Sequence, residues 1–290
     1  MMPARVFGVS LIDESNVGDM ISCPWTWTDI QSNLIHVDIR DLEELHKIRK
    51  EDTVLLGGGG LISPIFQAGL DALQESQARI VGWGLGANEH VYDHNYTVNH
   101  SKRFSVLSSI DRIKHRRLEE HWHQEALKLH YPDLSFMQEY GVRDDIGQGV
   151  WVPCASCLSP LHQLYRDKEP KFKIVLHLND LFVDVTDSAH PRMTNRWTSL
   201  QDTLDFLSSG ETVVTSSYHG AYWATLLNRR VVVVPWSSKF LYFKHKPAYW
   251  NPSANLSSAI RLAKNYPDAL EECQETNRQW ASKVNAMVSA

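Results

Sequence analysis

Residues 53–88, TVLLGGGGLISPIFQAGLDALQESQARIVGWGLGAN, decide the fold. Residues 53–56 are a short apolar run that stops at four consecutive glycines, Gly57, Gly58, Gly59 and Gly60. Residues 61–74 read as a loop and a helix, with Pro64 suited to a first turn, where its missing N–H costs nothing. Residues 79–83 are a second apolar run, ending in Gly84-Leu85-Gly86-Ala87-Asn88. Short apolar runs without polar alternation belong to strands buried on both faces, as in a parallel sheet. Strand, helix and strand in this order make a βαβ unit.

The same alternation runs along the whole chain. Upstream, residues 5–12 are apolar and stop at Asp13-Glu14-Ser15-Asn16. Downstream, residues 136–142 lead to Arg143-Asp144-Asp145, and the Pro- and Cys-rich residues 151–160 read as a crossover. The pattern then restarts with a strand at 171–178, a helix at 199–207 and a strand at 211–215. A helix at 221–227, a strand at 231–236 and terminal helices at 256–263 and 269–288 follow. Residues 115–130, HRRLEEHWHQEALKLH, read as an exposed amphipathic helix. Residues 183–197 have no regular pattern and read as a long mobile loop. There is no internal repeat and no low-complexity segment. The expectation is an α/β protein of two βα halves, 1–150 and 151–290, with a cleft between them beyond the carboxyl ends of the strands.

Composition narrows the function classes. A chain of 290 residues suits one large domain or two compact halves. At 43% hydrophobic and 22% charged residues it is neither collagen-like, coiled-coil nor disordered. Lys and Arg number 29 against 34 Asp and Glu, a net charge of −5, so no general field draws in a nucleic acid. No apolar run approaches the roughly 20 residues of a spanning helix, and the first residues lack a signal-peptide core; a cytoplasmic protein is expected. Four cysteines are too few for a disulfide scaffold. The tryptophans, Trp25, Trp27, Trp83, Trp236 and Trp250 among them, can line a polar ligand or fill cores.

Each motif has a functional and a structural reading. In Asn16-Val17-Gly18-Asp19 the glycine admits a ligand close to the backbone, or the stretch is an Asx turn and helix cap. Ordered glycines at 57–60, Gly58 and Gly59 among them, require close approach or positive φ. The run has neither the Lys-Ser/Thr of a P-loop nor the spacing of a dinucleotide fingerprint, so ATP and NAD are poorly supported. Thr215-Ser216-Ser217-Tyr218-His219-Gly220 joins a buried strand to a helix, where amides and the hydroxyls of Ser216, Ser217 and Tyr218 can bind an anion and His219 can move a proton. A capped helix with a satisfied histidine would look the same. Arg143 is a candidate bidentate clamp for carboxylate or phosphate, or a salt-bridge partner of Asp144 or Asp145. Cys154 and Cys157 form a CxxC without a second ligand pair and read as buried thiols at the crossover. His115, His121, His123 and His130 lie on a charged helix and read as solvent-facing, so no metal site is expected.

Taken in order, NVGD (16–19), LLGGGGLI (55–62), GWGLGAN (82–88), GVRD (141–144) and TSSYHGAYWATLLNRRVVVVP (215–235) resemble the polysaccharide pyruvyl transferase family. The resemblance implies a GT-B-like pair of Rossmann-like halves. It also implies transfer of a carboxyethylidene group from phosphoenolpyruvate to two hydroxyls of a sugar, with release of phosphate and no cofactor. The acceptor would be a cell-surface glycan or a lipid-linked precursor, which would bring the enzyme to the inner membrane as a peripheral protein. Carried over, the family's histidine falls on His219, the general acid, and its arginine on Arg143. Arg143, Asn16, Gly58, Gly59, Ser216, Ser217, Tyr218 and Gly220 would hold the substrates, while Asp19 or Asp144 would orient hydroxyls or act as base. One departure stands out: the family's usual Arg two positions before the histidine is Ser217 here, and Lys239, Arg192 or Arg196 would have to replace it. Two alternatives remain, a GT-B glycosyltransferase using a nucleotide sugar and a non-catalytic sugar- or phosphate-binding protein.

Overall fold

The computed structural model describes residues 4–30, 34–89, 131–144, 146–178, 189–194, 196–250 and 255–288. The expected helix at 115–130 with its four histidines, Asp145, and residues 183–188 and 195 of the expected loop lie outside the described residues. The chain forms two compact units, the first made of residues 1–88, 130–159 and 271–290, the second of 89–129 and 160–270. The units therefore differ from the halves expected at 1–150 and 151–290. The crossover falls at Ser159, and the last helix belongs with the first unit.

In the first unit β1 (Val6–Ser10), β2 (Ile35–Asp38), β3 (Thr53–Gly57), β4 (Arg79–Leu85), β5 (Glu139–Val142) and β6 (Val150–Trp151) form one sheet in the order β2-β1-β3-β4-β5-β6. Every neighbouring pair is parallel. Burial on both faces is visible residue by residue. Val54, Leu56 and Ile80 belong to one apolar cluster, and Leu55, Val81 and Trp83 belong to another. Helices α1 (Val17–Ile21), α2 (Leu42–Leu45) and α3 (Gln67–Ser76) follow β1, β2 and β3. Leu70 and Leu73 of α3 join the first cluster. The chain leaves β1 to one side for β2, then crosses to its other side for β3. The winding thus reverses at β1/β3, the place where open α/β sheets bind ligands.

In the second unit β7 (Phe172–His177), β8 (Arg192–Met193), β9 (Gly210–Thr215), β10 (Arg230–Val233) and β11 (Ala248–Tyr249) stand in the order β11-β10-β9-β7-β8, again all parallel. The winding repeats that of the first sheet: from β7 the chain goes to β8 on one side and β9 on the other, so it reverses at β7/β9. Helices α4 (Leu161–Arg166), α5 (Leu200–Ser208), α6 (Tyr218–Leu226) and α7 (Leu256–Leu262) belong here. Ser199 caps α5 by accepting the Asp202 N–H, as Asn255 caps α7 from Ser257.

The last helix, α8 (Ala269–Val288), packs on the first unit. Its Trp280 and Val284 share the cluster of Leu55, Val81 and Trp83. Buried Asn277 accepts from Trp83 Nε1 at 2.8 Å and donates to the Pro153 and Cys273 carbonyls at 3.1 Å each. Among the described residues no helix is long and apolar enough to cross a membrane. The fold is α/β with two parallel sheets.

Candidate functional site

At the carboxyl edge of the first sheet, the loops after β1, β3, β4 and β5 are stitched together. Asn16 caps α1: its Oδ1 accepts the Gly18 N–H at 3.1 Å, and its Nδ2 donates to Asp19 Oδ2 at 2.6 Å. Gly58 and Gly59 have φ of 83° and 82°. A Cβ on Gly58 would fall well inside 3.0 Å of Ser22 at the end of α1, whereas one on Gly59 would stand 3.6 Å from Asp19 Oδ1. The glycine run thus serves both purposes expected of it, positive φ and close approach. Gly86 donates its N–H to the Gly59 carbonyl at 3.0 Å, and Ile62 donates to the Gly86 carbonyl at 2.9 Å.

Arg143 and Asp144 lie beneath this edge, 3% and 0% exposed. Arg143 Nε stands 3.7 Å from Asp144 Oδ2, the ion pair that was the structural reading of this arginine. Asp144 Oδ2 also accepts the Ala87 N–H at 2.7 Å. A Cβ at Gly86 would overlap the guanidinium, so a glycine there is what lets Arg143 lie along β4. Asp144 is a positioning group, holding both Arg143 and the loop after β4. Asn16, Asp19, Gly58, Gly59, Arg143 and Asp144 are all brought to the edge of the first sheet.

The thiols nearby are shielded. Cys23, Cys154, Cys157 and Cys273 are all buried. Cys154 Sγ lies 3.2 Å from Ser156 Oγ, and Cys157 Sγ accepts from Asn277 Nδ2 at 3.3 Å. Burial pushes the Cys154 thiol up despite the nearby Arg143 guanidinium, and pushes Cys23 up to about 11. Cys154 and Cys157 are buried thiols at the crossover, as expected from their spacing. Among the described residues no three His, Cys, Asp or Glu side chains gather as metal ligands would.

In the second unit Ser216, Ser217, Tyr218, His219 and Gly220 follow β9 at its carboxyl end. Helix α6 starts at Tyr218, three residues before the expected 221, because Ser217 caps it: Oγ accepts the Gly220 N–H at 3.3 Å. The Ser217 N–H goes to Thr215 Oγ1 at 3.0 Å and the Ser216 N–H to the His177 carbonyl at 3.3 Å. The Ser217 hydroxyl and these amides, expected to meet an anion, are therefore engaged in building the turn. His219, 5% exposed, lies in the first turn of α6, stacked on Trp223 at 5.1 Å and edge-on to Tyr218 at 5.5 Å. Lys239 lies over the Trp236 ring at 3.9 Å, and Trp236 Nε1 donates to the Ser216 carbonyl at 2.8 Å. That places Lys239 beside the His219 turn. Arg192 is in β8, paired with Leu176, and is exposed. Of the tryptophans, Trp83 is core and Trp236 is tied to the Ser216 turn.

One residue went unnoticed in the sequence. His177 ends β7, directly opposite Thr215 in register, and is fully buried. Burial pushes its imidazole down to about 4. Within Lys173-Ile174-Val175-Leu176-His177-Leu178 it reads as one more strand residue, and the only signal is a polar side chain closing an apolar run beside a winding reversal.

No family model matches the chain, and no curated protein does. Among solved structures the chain is similar to a functionally uncharacterised protein from Klebsiella pneumoniae subsp. pneumoniae NTUH-K2044, at 17% identity and a TM-score of 0.40, over 80% of this chain and 83% of that one.

Proposed function

We propose that the protein is a ketal-pyruvyl transferase of the polysaccharide pyruvyl transferase type, built on two GT-B-type halves. It would move a carboxyethylidene group from phosphoenolpyruvate to two hydroxyls of a sugar. The observation that supports this best is placement. The motif stretches containing Asp19, Gly58, Gly86, Arg143 and His219 each sit at the carboxyl end of a parallel strand, and those after β1, β3 and β9 flank the two winding reversals.

In this mechanism the His219 imidazolium gives a proton to the methylene carbon of phosphoenolpyruvate, leaving an oxocarbenium-like centre at C2. A sugar hydroxyl adds there and loses its proton to a base. A second hydroxyl then displaces phosphate from C2 to close the ketal. Arg143, oriented by Asp144, holds the donor's negative charge, and Lys239 supplies the cation that the family's arginine would bring at Ser217. Asp19, half-buried beside Gly59, suits the base better than Asp144, which is fully buried and paired with Arg143. Working on a glycan precursor would keep the enzyme in the cytoplasm, peripheral to the inner membrane.

The test incubates the purified protein with phosphoenolpyruvate and a panel of surface-glycan acceptors, in parallel with UDP-sugars, and follows phosphate release. Release with phosphoenolpyruvate is expected, reduced about 10²–10⁴-fold in His219→Ala. Turnover of UDP-sugars alone would make the protein a glycosyltransferase, and no turnover of either a binding protein.

A further inference from the structure

Trp197 is unusual both in exposure and in backbone. It is 81% exposed, the most open of the large apolar side chains among the described residues. Its φ is 56°, in the left-handed region that a residue with a Cβ enters only at a cost. Among the described non-glycine residues Gln77 and Asn228 share that conformation. Gln77 caps the end of α3 and Asn228 follows the end of α6, where a left-handed residue commonly closes a helix. Trp197 closes no helix; it comes two residues before Ser199, the cap that opens α5. The chain beside it is anchored. The Thr198 hydroxyl meets that of fully buried Thr203 at 2.9 Å, and Thr203 donates to the Ser199 carbonyl at 2.8 Å. Glycine or asparagine would take this backbone more readily, and a polar side chain would suit water better, so the fold itself does not call for an indole. A strained backbone held by its surroundings, with a large ring open to solvent, points to a binding role.

Strand register says where the ring stands. Met193, His177, Thr215 and Val233 make one row across the second sheet. Beyond that row, at the carboxyl edge, Thr215 leads into the His219 turn and Met193 leads, four residues on, to Trp197. β8 and β9 are two strand spacings apart, about 10 Å, a distance that a disaccharide spans and a single sugar does not.

The surroundings select the ligand. Phe172, also exposed, opens β7 at the opposite end of the sheet, and the exposed Leu164 and Leu262 sit on α4 and α7. A protein partner or a membrane surface needs a contiguous apolar patch, whereas Trp197 is one ring between Arg196 and Thr198. A sugar has the matching surface, an apolar face of C–H groups bounded by hydroxyls that donate and accept.

We propose that Trp197 is a stacking platform for a sugar ring of an oligosaccharide, one unit along from the sugar held at the His219 turn. The inference rests on the reading above only for the role of that oligosaccharide as the pyruvyl acceptor.

The experiment labels the full chain with 5-fluorotryptophan and assigns the Trp197 ¹⁹F resonance by its loss in Trp197→Phe. Cellobiose, lactose, mannobiose and chitobiose are titrated in, beside glucose, galactose, mannose and N-acetylglucosamine. Phosphatidylglycerol vesicles and a rise in protein concentration are the remaining arms. The expected result is a Trp197 resonance that shifts to saturation with a disaccharide and less with its monosaccharide. Calorimetry with that disaccharide should show binding weakened about tenfold in Trp197→Ala and less than about threefold in Trp197→Tyr. Trp197→Asn should melt no lower than the unmutated protein, because asparagine accepts the left-handed backbone. An unmoved resonance with every sugar, equal binding of disaccharide and monosaccharide, or undiminished binding by Trp197→Ala would each overturn the proposal. So would a shift with vesicles or with protein concentration in place of sugars, or a lower melting temperature in Trp197→Asn. A sugar-dependent shift without pyruvyl transfer would leave this inference standing and remove the proposed activity. Pyruvyl transfer with the same acceptor KM in Trp197→Ala as in the unmutated protein would do the reverse.

Discussion

Arg143 is held in place by a neighbour on either side, Asp144 through its Nε and Gly86 through the space a side chain would fill. Shape therefore matters to it as much as charge. Arg143→Lys keeps the charge and loses the planar fork. Each charge-assisted hydrogen bond lost costs about 1.5–3 kcal/mol, so the KM for phosphoenolpyruvate should rise roughly tenfold to a hundredfold, and more in Arg143→Ala. Donor and acceptor saturation kinetics on both variants check this; an effect on the acceptor alone would move Arg143 to the sugar. His177 makes a different prediction. Its folded value of about 4 lies below the ordinary 6.5, so between those values the unfolded chain binds the extra proton. Stability from this group is complete above about pH 6.5 and falls as the pH drops toward 4, by at most about 3.4 kcal/mol. Urea unfolding at pH 7.5 and pH 5 should show that loss in the unmutated protein and a smaller one in His177→Leu.

At the scale of elements, the turn between β9 and α6 works as a unit, and its residues differ in what they tolerate. Ser217→Ala removes a helix cap and should cost about 1 kcal/mol. Gly220→Ala should be far worse, because the new methyl meets the buried His177 ring and the Thr215 hydroxyl, neither of which can withdraw. Thermal unfolding of the two variants, side by side, ranks them. The same scale shows what a sequence makes visible. The strands β3, β4, β7, β9 and β10 were legible because burial on both faces leaves a continuous apolar run. The edge strand β2 was not, since Ile35 and His36 are exposed and only Val37 is buried, and β8 and β11, two residues each, carry no periodicity at all. The glycine loops and His219 were legible from chemistry that glycine and histidine rarely supply by accident. His177 and the buried pairing of Asp144 with Ala87 depend on register between distant strands, which no local pattern encodes.

For the whole molecule, two sheets with the same winding arise from halves that share no detectable sequence repeat; the repetition is of topology. The units are not equally self-contained. Removal of residues 269–290 takes away α8 and uncovers Leu55, Val81 and Trp83, and it leaves the Trp83 indole N–H without Asn277. The truncated chain should lose protection in the first sheet while β7, β9 and β10 keep theirs, which amide hydrogen exchange by mass spectrometry can read strand by strand.

Helix α8 closes the first unit from the far end of the chain, and this sets a timetable for synthesis. Domains of a growing polypeptide generally fold from the amino terminus onward. Here the strands made earliest must wait, with one face of β3 and β4 uncovered, until Trp280 and Val284 have left the ribosome. The second unit, whose segments are all translated before α8, can be finished first. A newborn chain would thus offer Leu55, Val81 and Trp83 to chaperones until α8 is made, and a stall anywhere before Ala269 would leave a half-built apolar surface to aggregate.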